Sequence, residues 1–265
     1  MIKRLVKNAI SVPTLVVLGV FLFSPLDAHE ETSEDIVQPL QTDSTSDIPS
    51  PPARYCYFHP PKGWDIVDRR HAGPQIQMAF IKKAKKEGFC PSLNLAIENV
   101  EGTLNEYLND VKAIYEQDRK NHWRKLGKVR THAGEAQLTE IDTLSALGSV
   151  RMLQLIFLKE GQAYIITAAA LKNDFCRYYR DFQDAFHSLT VTADLFEAIP
   201  QLERRTALKQ EIDKLLLART EEEFEKKHLP AFQKKLEDEF DDMGSFWQAL
   251  VLKEFFSDFY LVINN

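Results

Sequence analysis

Glycine and cysteine are scarce in this 265-residue chain, with 10 and 3 respectively. No two glycines stand one residue apart, so the G-x-G of a dinucleotide-binding turn is missing. No Gly-Lys-Ser/Thr closes a glycine-rich loop around phosphates either. Nucleotide binding by those routes is excluded. H-E-x-x-H, G-x-S-x-G and S-x-x-K are absent, which removes the zincin, α/β-hydrolase and penicillin-binding signatures. A triad assembled from distant residues would leave no such signature. The cysteines, Cys56, Cys90 and Cys176, form no C-x-x-C, so dithiol redox chemistry is disfavoured. The seven histidines include no pair four residues apart that would set two imidazoles on one helix face around a metal. His59 and His71, flanking the first predicted hairpin, could meet in space but read as turn residues. The sequence leads us to expect neither a metal nor a cofactor.

Basic residues number 33 against 39 acidic ones, a formal net charge of -6. A grip on nucleic acid or anionic lipid needs clustered Lys and Arg, and the overall balance argues against it. The cluster Lys82, Lys83, Lys85 and Lys86 reads as a solvated turn, and the acidic runs at 221–223 and 237–242 as solvated helix faces.

The first thirty residues are different. Lys3, Arg4 and Lys7 precede an apolar stretch from Ala9 to Phe23, which Ser24 and Pro25 end before the small Ala28. The densest part, Leu15 to Phe23, falls short of the roughly 20 apolar residues a spanning helix needs. The pattern is that of a cleaved export signal over 1–28, with an uncleaved anchor as the alternative. Without a cysteine before Cys56 there is no lipoprotein anchor at the signal's end. Cleavage would remove Lys3, Arg4, Lys7 and Asp27, taking the net charge from -6 to -8. In an oxidising compartment Cys56 and Cys90 could pair; three buried thiols acting as small hydrophobes is the equal alternative.

Residues 29–53 are rich in Ser, Thr, Asp, Glu and Pro and have no periodic apolar face, the composition of a flexible tether. Order is expected from 54 onward. Tyr55 to Phe58, the turn Pro60-Pro61-Lys62-Gly63 and Trp64 to Val67 together predict a hairpin. Period-2 alternation marks strands at 75–81 and 92–100. Thr103 with Glu106 makes a capping box. Behind it Leu104, Tyr107, Leu108, Val111, Ile114 and Tyr115 form one helical stripe. A short strand near 128–132, strands at 136–144, 150–158 and 164–170, and a helix at 174–188 complete a pattern of class α+β.

Several of these segments resemble the PsbP/Mog1-like (PsbP-like/DcrB-like) family. They are the turn Pro61-Lys62-Gly63-Trp64, the extended Ser92-Leu93-Asn94-Leu95, the helix opening Thr103-Leu104-Asn105-Glu106-Tyr107, and Tyr164-Ile165-Ile166-Thr167 followed by Phe175, Phe182 and Phe186. The resemblance covers about 55–191. It implies an α/β/α sandwich around a mainly antiparallel central sheet, and a role in binding or assembly. No metal or partner residue of that family carries over position by position.

Beyond 192 the chain departs from that family. Leu202, Leu208, Ile212, Leu215 and Leu216 predict one helix, Thr220 with Glu223 caps another, Pro230 should interrupt it, and Ser245 with Gln248 opens an unusually apolar last one. Lys253, Glu254 and Asp258 argue against a membrane span there. The expected organisation is a signal at 1–28, a linker at 29–53, an α/β/α domain at 54–192 and a helical extension at 193–265. Trp64, Trp247, Phe255, Phe256 and Phe259 are the candidate partner-binding side chains, each set against the plainer reading of a core aromatic. The functional expectation is an exported, non-catalytic periplasmic or envelope protein that binds another envelope protein, with no nucleic acid and no membrane contact except through a retained signal. An unrecognised periplasmic hydrolase and a secreted effector are the alternatives.

Overall fold

The computed structural model describes residues 55–67, 75–83, 88–215 and 220–263, with side chains undescribed at 221, 225 and 256–263. The expected signal, tether and His71 lie outside these residues. Nine strands are described: β1 (Tyr55–Tyr57), β2 (Asp65–Ile66), β3 (Ile76–Ile81), β4 (Ser92–Asn99), β5 (His122–Thr131), β6 (Gly134–Ser145), β7 (Gly148–Lys159), β8 (Gln162–Leu171) and β9 (Thr190–Thr192). Seven form one sheet in the order β2-β3-β4-β8-β7-β6-β5, antiparallel at every pairing, and β1 and β9 form a separate two-stranded ribbon.

Alternation along the central strands builds two cores from one sheet. On one face Ile165 and Ala169 of β8, Val150, Met152 and Ile156 of β7 and Ile141 of β6 meet helix α1 (Leu104–Glu116) through Tyr107, Leu108, Val111 and Tyr115. The predicted capping box is present: the Thr103 hydroxyl accepts from the Glu106 N–H at 3.3 Å, and the Glu106 carboxylate accepts from the Thr103 N–H at 2.7 Å. Two first-turn donors are thereby satisfied reciprocally. On the opposite face Tyr164, Ile166, Ala168 and Ala170 of β8 share a core with Phe175, Phe182, Ala185 and Phe186 of helix α2 (Phe175–His187). Helix, sheet and helix are therefore stacked in three layers, as the α+β reading required.

The predicted hairpin between 55–58 and 64–67 does not form. β1 pairs with β9, Cys56 facing Val191, while β2 pairs with β3, Asp65 facing Ile81. Proline and glycine in the turn are compatible with a hairpin, but they do not choose the partner, and Cys56 and Tyr57 of β1 are buried in a core shared with distant elements. The strand expected near 128–132 is ten residues long, because it also takes in His122 to Gly127, with a bulge between Lys125 and Lys128. Its exposed, basic residues lack the apolar alternation by which strands are read.

After the 3-10 turn Leu195–Ala198 come α3 (Leu202–Leu215), α4 (Glu221–Glu223), α5 (Leu229–Glu239) and α6 (Gly244–Ile263). Leu202, assigned to the α3 stripe, is 69% exposed; Leu208, Ile212 and Leu215 are buried. Pro230 does not interrupt the path. It lies in the first turn of α5, directly after a π-helical turn at Phe224–His228. Proline lacks an N–H and crowds the carbonyl four residues back, and the wider π turn accommodates both.

The helical extension shares its core with the α2 face of the sandwich. Phe246 of α6 packs edge-on against Phe58 at 5.3 Å and against Phe80 of β3 at 5.6 Å between ring centroids. Full burial of one such ring stabilises by roughly 1.5–3 kcal/mol, so α6 is fastened to the sheet at its first turns. Among the described residues no helix is long and apolar enough to cross a membrane.

Candidate functional site

Three of the five candidate partner-binding aromatics are buried in the chain's own core. Trp64 is 8% exposed and stands edge-on to Tyr178 and Phe182 of α2, at 6.2 and 6.1 Å. Trp247 is fully buried, donates its indole N–H to the Leu195 carbonyl at 2.9 Å and stacks on Phe240 at 5.7 Å. Phe255 is 2% exposed, between Phe224 at 5.1 Å and Phe232 at 5.3 Å. In the folded chain these three rings pack largely against its own core, with Phe255 also bordering a cavity beside α6. The side chains of Phe256 and Phe259 fall outside those described.

What is open instead lies on either side of α6. Phe246, Ala249, Leu250 and Lys253 recur at the i, i+3, i+4, i+7 spacing that defines one helix face. That face looks onto Ile76, Met78 and Ala79 of β3, Ile97 of β4 and Cys56 of β1, across a cavity of about 510 Å³. Ala249, Leu250, Met78 and Ile97 are only partly buried, and Ile66 at the rim is 49% exposed. The floor is apolar; the exposed Gln77 and Lys253 and the half-buried Glu254 supply polar groups. Burial pushes the Cys56 thiol well above its ordinary pKa, so it stays protonated and lines the floor as a small apolar group. All three cysteines are free, so the Cys56–Cys90 pairing considered above is not formed.

A second cavity of about 400 Å³ lies across α6, between it, α3 and the Leu195–Ala198 turn. It is more polar. Lys209 pairs with Asp194 at 3.3 Å and rests over the Phe196 ring at 4.9 Å. Tyr55 and Glu254 line both cavities, so the entry of the chain into β1 and the middle of α6 form a shared wall.

Apart from Cys56, the ionisable groups with large shifts sit elsewhere and are tied into structural bonds. Burial raises the Tyr107 and Tyr115 phenols; Tyr107 donates to Glu98 at 2.8 Å, and the Gln154 amide donates to Tyr115 at 3.3 Å. Hydrogen bonds from Arg151, at 2.8 Å each from two nitrogens, and from Lys172 hold the Asp142 carboxyl down at about 2. Among the described residues no three His, Cys, Asp or Glu side chains are grouped to hold a metal ion.

The groove had one trace in the sequence, the 246/249/250/253 stripe. Its other wall comes from residues 55–97, and only long-range packing brings that wall opposite the stripe.

No sequence family and no curated protein matches the chain in sequence. Solved structures do resemble it. A cyanobacterial PsbP from Synechocystis sp. PCC 6803 is 15% identical, with 51% of this chain and 86% of that one covered and a TM-score of 0.38. LpqN of Mycobacterium tuberculosis, described as involved in cell envelope biogenesis, is 10% identical over 53% and 86%, with a TM-score of 0.40. The Ran-binding protein Mog1p of Saccharomyces cerevisiae is 13% identical over 51% and 89%, with a TM-score of 0.37. All three are PsbP/Mog1-like proteins, the family that the segments between 55 and 191 resemble. Likeness at this level says nothing of ligand or partner.

Proposed function

We propose that this chain is an exported, non-catalytic protein of the periplasm or cell envelope that binds another envelope protein and assists its assembly, the partner seating an apolar segment in the groove between α6 and β3. The groove itself carries the reading. About 510 Å³ of space, floored by apolar side chains and edged by a few polar ones, has the size and make-up of a recognition site. The half-buried Leu250, Met78 and Ile97 would gain burial on filling, at roughly 25 cal/mol per Å². The amino-terminal pattern of basic residues, apolar run and small residue supports export. The non-catalytic reading draws support from the strongly shifted groups: Tyr107, Tyr115 and Asp142 are held in structural bonds away from the groove, and burial keeps the Cys56 thiol on its floor protonated.

The test is site-specific photo-crosslinking from Met78 and Leu250 in producing cells, with Ala249→Arg to fill the groove. A discrete envelope-protein adduct that Ala249→Arg abolishes while the fold persists is the expected result. Adducts that ignore the substitution would remove the groove from the reading. Amino-terminal sequencing of the mature chain tests export by cleavage after Ala28.

A further inference from the structure

The net charge of -6 conceals a block of one sign. From 119 to 130 the chain carries Arg119, Lys120, Arg124, Lys125, Lys128 and Arg130 and no acidic residue. The fold places this block along β5, the outermost strand of the sheet, and along the turn that leads into it. All six are exposed. Some acids do face them. Glu140 pairs with Arg124 at 2.6 Å and with Arg151 at 3.3 Å, Asp142 takes Arg151 and Lys172, Lys128 pairs with Glu135, and Glu116 and Asp118 lie just before the block. Counting Arg151 and Lys172 with the six, eight basic groups stand against those five acids, a local excess of +3 in a chain whose total is -6.

Exposed apolar side chains stand beside this charge. The β6–β7 turn carries Leu144 at 58% and Leu147 at 44% exposure, and the β5 bulge carries Leu126 at 43%. The turn is internally fixed: the Ser145 hydroxyl donates to the Gly148 carbonyl at 2.9 Å and accepts from the Leu147 N–H at 3.2 Å. It is also tied to the basic segment, since the Thr143 hydroxyl donates to the Asn121 side-chain carbonyl at 2.6 Å. That bond ties the end of β6, just before Leu144, to the segment that carries Arg119 and Lys120. Lysines and a bulge on an edge strand are also the ordinary means of blocking edge-to-edge aggregation. That role does not account for two leucines held exposed on the neighbouring turn.

We propose that this edge of the sheet docks on an anionic lipid surface, with Leu144 and Leu147 entering the headgroup region and the 119–130 block neutralising lipid charge. Apolar side chains ringed by Lys and Arg suit an interface that is wet and negative outside and apolar beneath. A soluble polyanion would use the charge and leave the leucines without a role. This site is distinct from the groove beside α6, and either can hold without the other.

The test is co-sedimentation of the full chain with vesicles of phosphatidylcholine alone and of phosphatidylcholine mixed with phosphatidylglycerol. Binding is expected to favour the anionic vesicles and to fall as salt rises. It should weaken about fivefold for each of Arg119→Gln, Lys120→Gln and Lys125→Gln, and further with Leu144→Ser and Leu147→Ser. The amino-terminal apolar run and its Lys3, Arg4 and Lys7 are common to all variants, so lipid uptake through them would favour anionic vesicles equally in every variant; binding that none of the five substitutions weakens would overturn the proposal. Charge-dependent binding indifferent to the two leucines would overturn it too, in favour of a simple polyanion surface. Circular dichroism of each variant separates a lost fold from a lost surface.

Discussion

The indole N–H of Trp247 donates to the backbone carbonyl of Leu195 at 2.9 Å, with both residues buried. That bond joins α6 to the segment leaving β9. Trp247→Phe would leave the carbonyl without its donor and a void beside Phe240. A destabilisation of about 2 kcal/mol is expected from the lost bond and packing, read as a shift in the urea midpoint with an unchanged slope.

Phe246 fastens the helical extension to the sandwich through Phe58 and Phe80. Phe246→Ala should cost about 3–5 kcal/mol. Because one core runs through both parts, a single cooperative transition is expected, shifted as a whole. Separate melting of the sandwich and the helices would show two units and a weak seam.

The acid limb of stability should depend on Asp142. Its carboxyl is held at about 2 in the folded chain by Arg151 and Lys172, against about 3.9 unfolded. A folded-state pKa below the unfolded one stabilises fully above about 4, and that contribution is lost as pH falls towards about 2. About 1–2 kcal/mol is at stake after allowance for solvent access. Asp142→Asn should be less stable at neutral pH and flatter across this window in denaturant titrations.

A second pH dependence should lie nearer neutrality. Burial, and to a lesser extent His132, lowers the His59 pKa below its ordinary value, with Asp242 opposing. The unfolded chain then binds the proton first. Stability from this site is complete above the unfolded value of about 6.5 and falls as pH drops through the folded one. His59 stands where β1 ends: its N–H donates to Ser188 at 2.7 Å, and a methyl group added at Gly244 would lie 3.4 Å from its ring. His59→Gln should remove the slope just below pH 6.5 in thermal melts.

Removing the α1 cap provides a local measure. Thr103→Ala should cost about 1 kcal/mol, with hydrogen exchange accelerating first in the opening turn of α1 and little change in the α6 core.

The helices and central strands were legible because their signals are local. Thr103 and Glu106 are three residues apart, β8 is a nearly unbroken apolar run within ten residues, and the α2 aromatics recur at helical spacing. The pairing of β1 with β9 was not legible, since Cys56 and Val191 meet only after the whole sheet has formed between them. The aromatic candidates were ambiguous for a related reason. Sequence identifies Trp64, Trp247 and Phe255 as large and apolar, but whether such a ring faces a partner or its own core depends on what else folds against it.

By itself the sequence determined the α+β class, the Thr103 cap and the pattern of an export signal, all of which depend on residues close together in the chain. Only the tertiary structure decided that the helical extension shares the sandwich's core, that a groove opens along α6, and that a basic block lines one edge of an acidic chain. Those follow from contacts and surface charge, which depend on residues far apart in sequence and are averaged away in a composition.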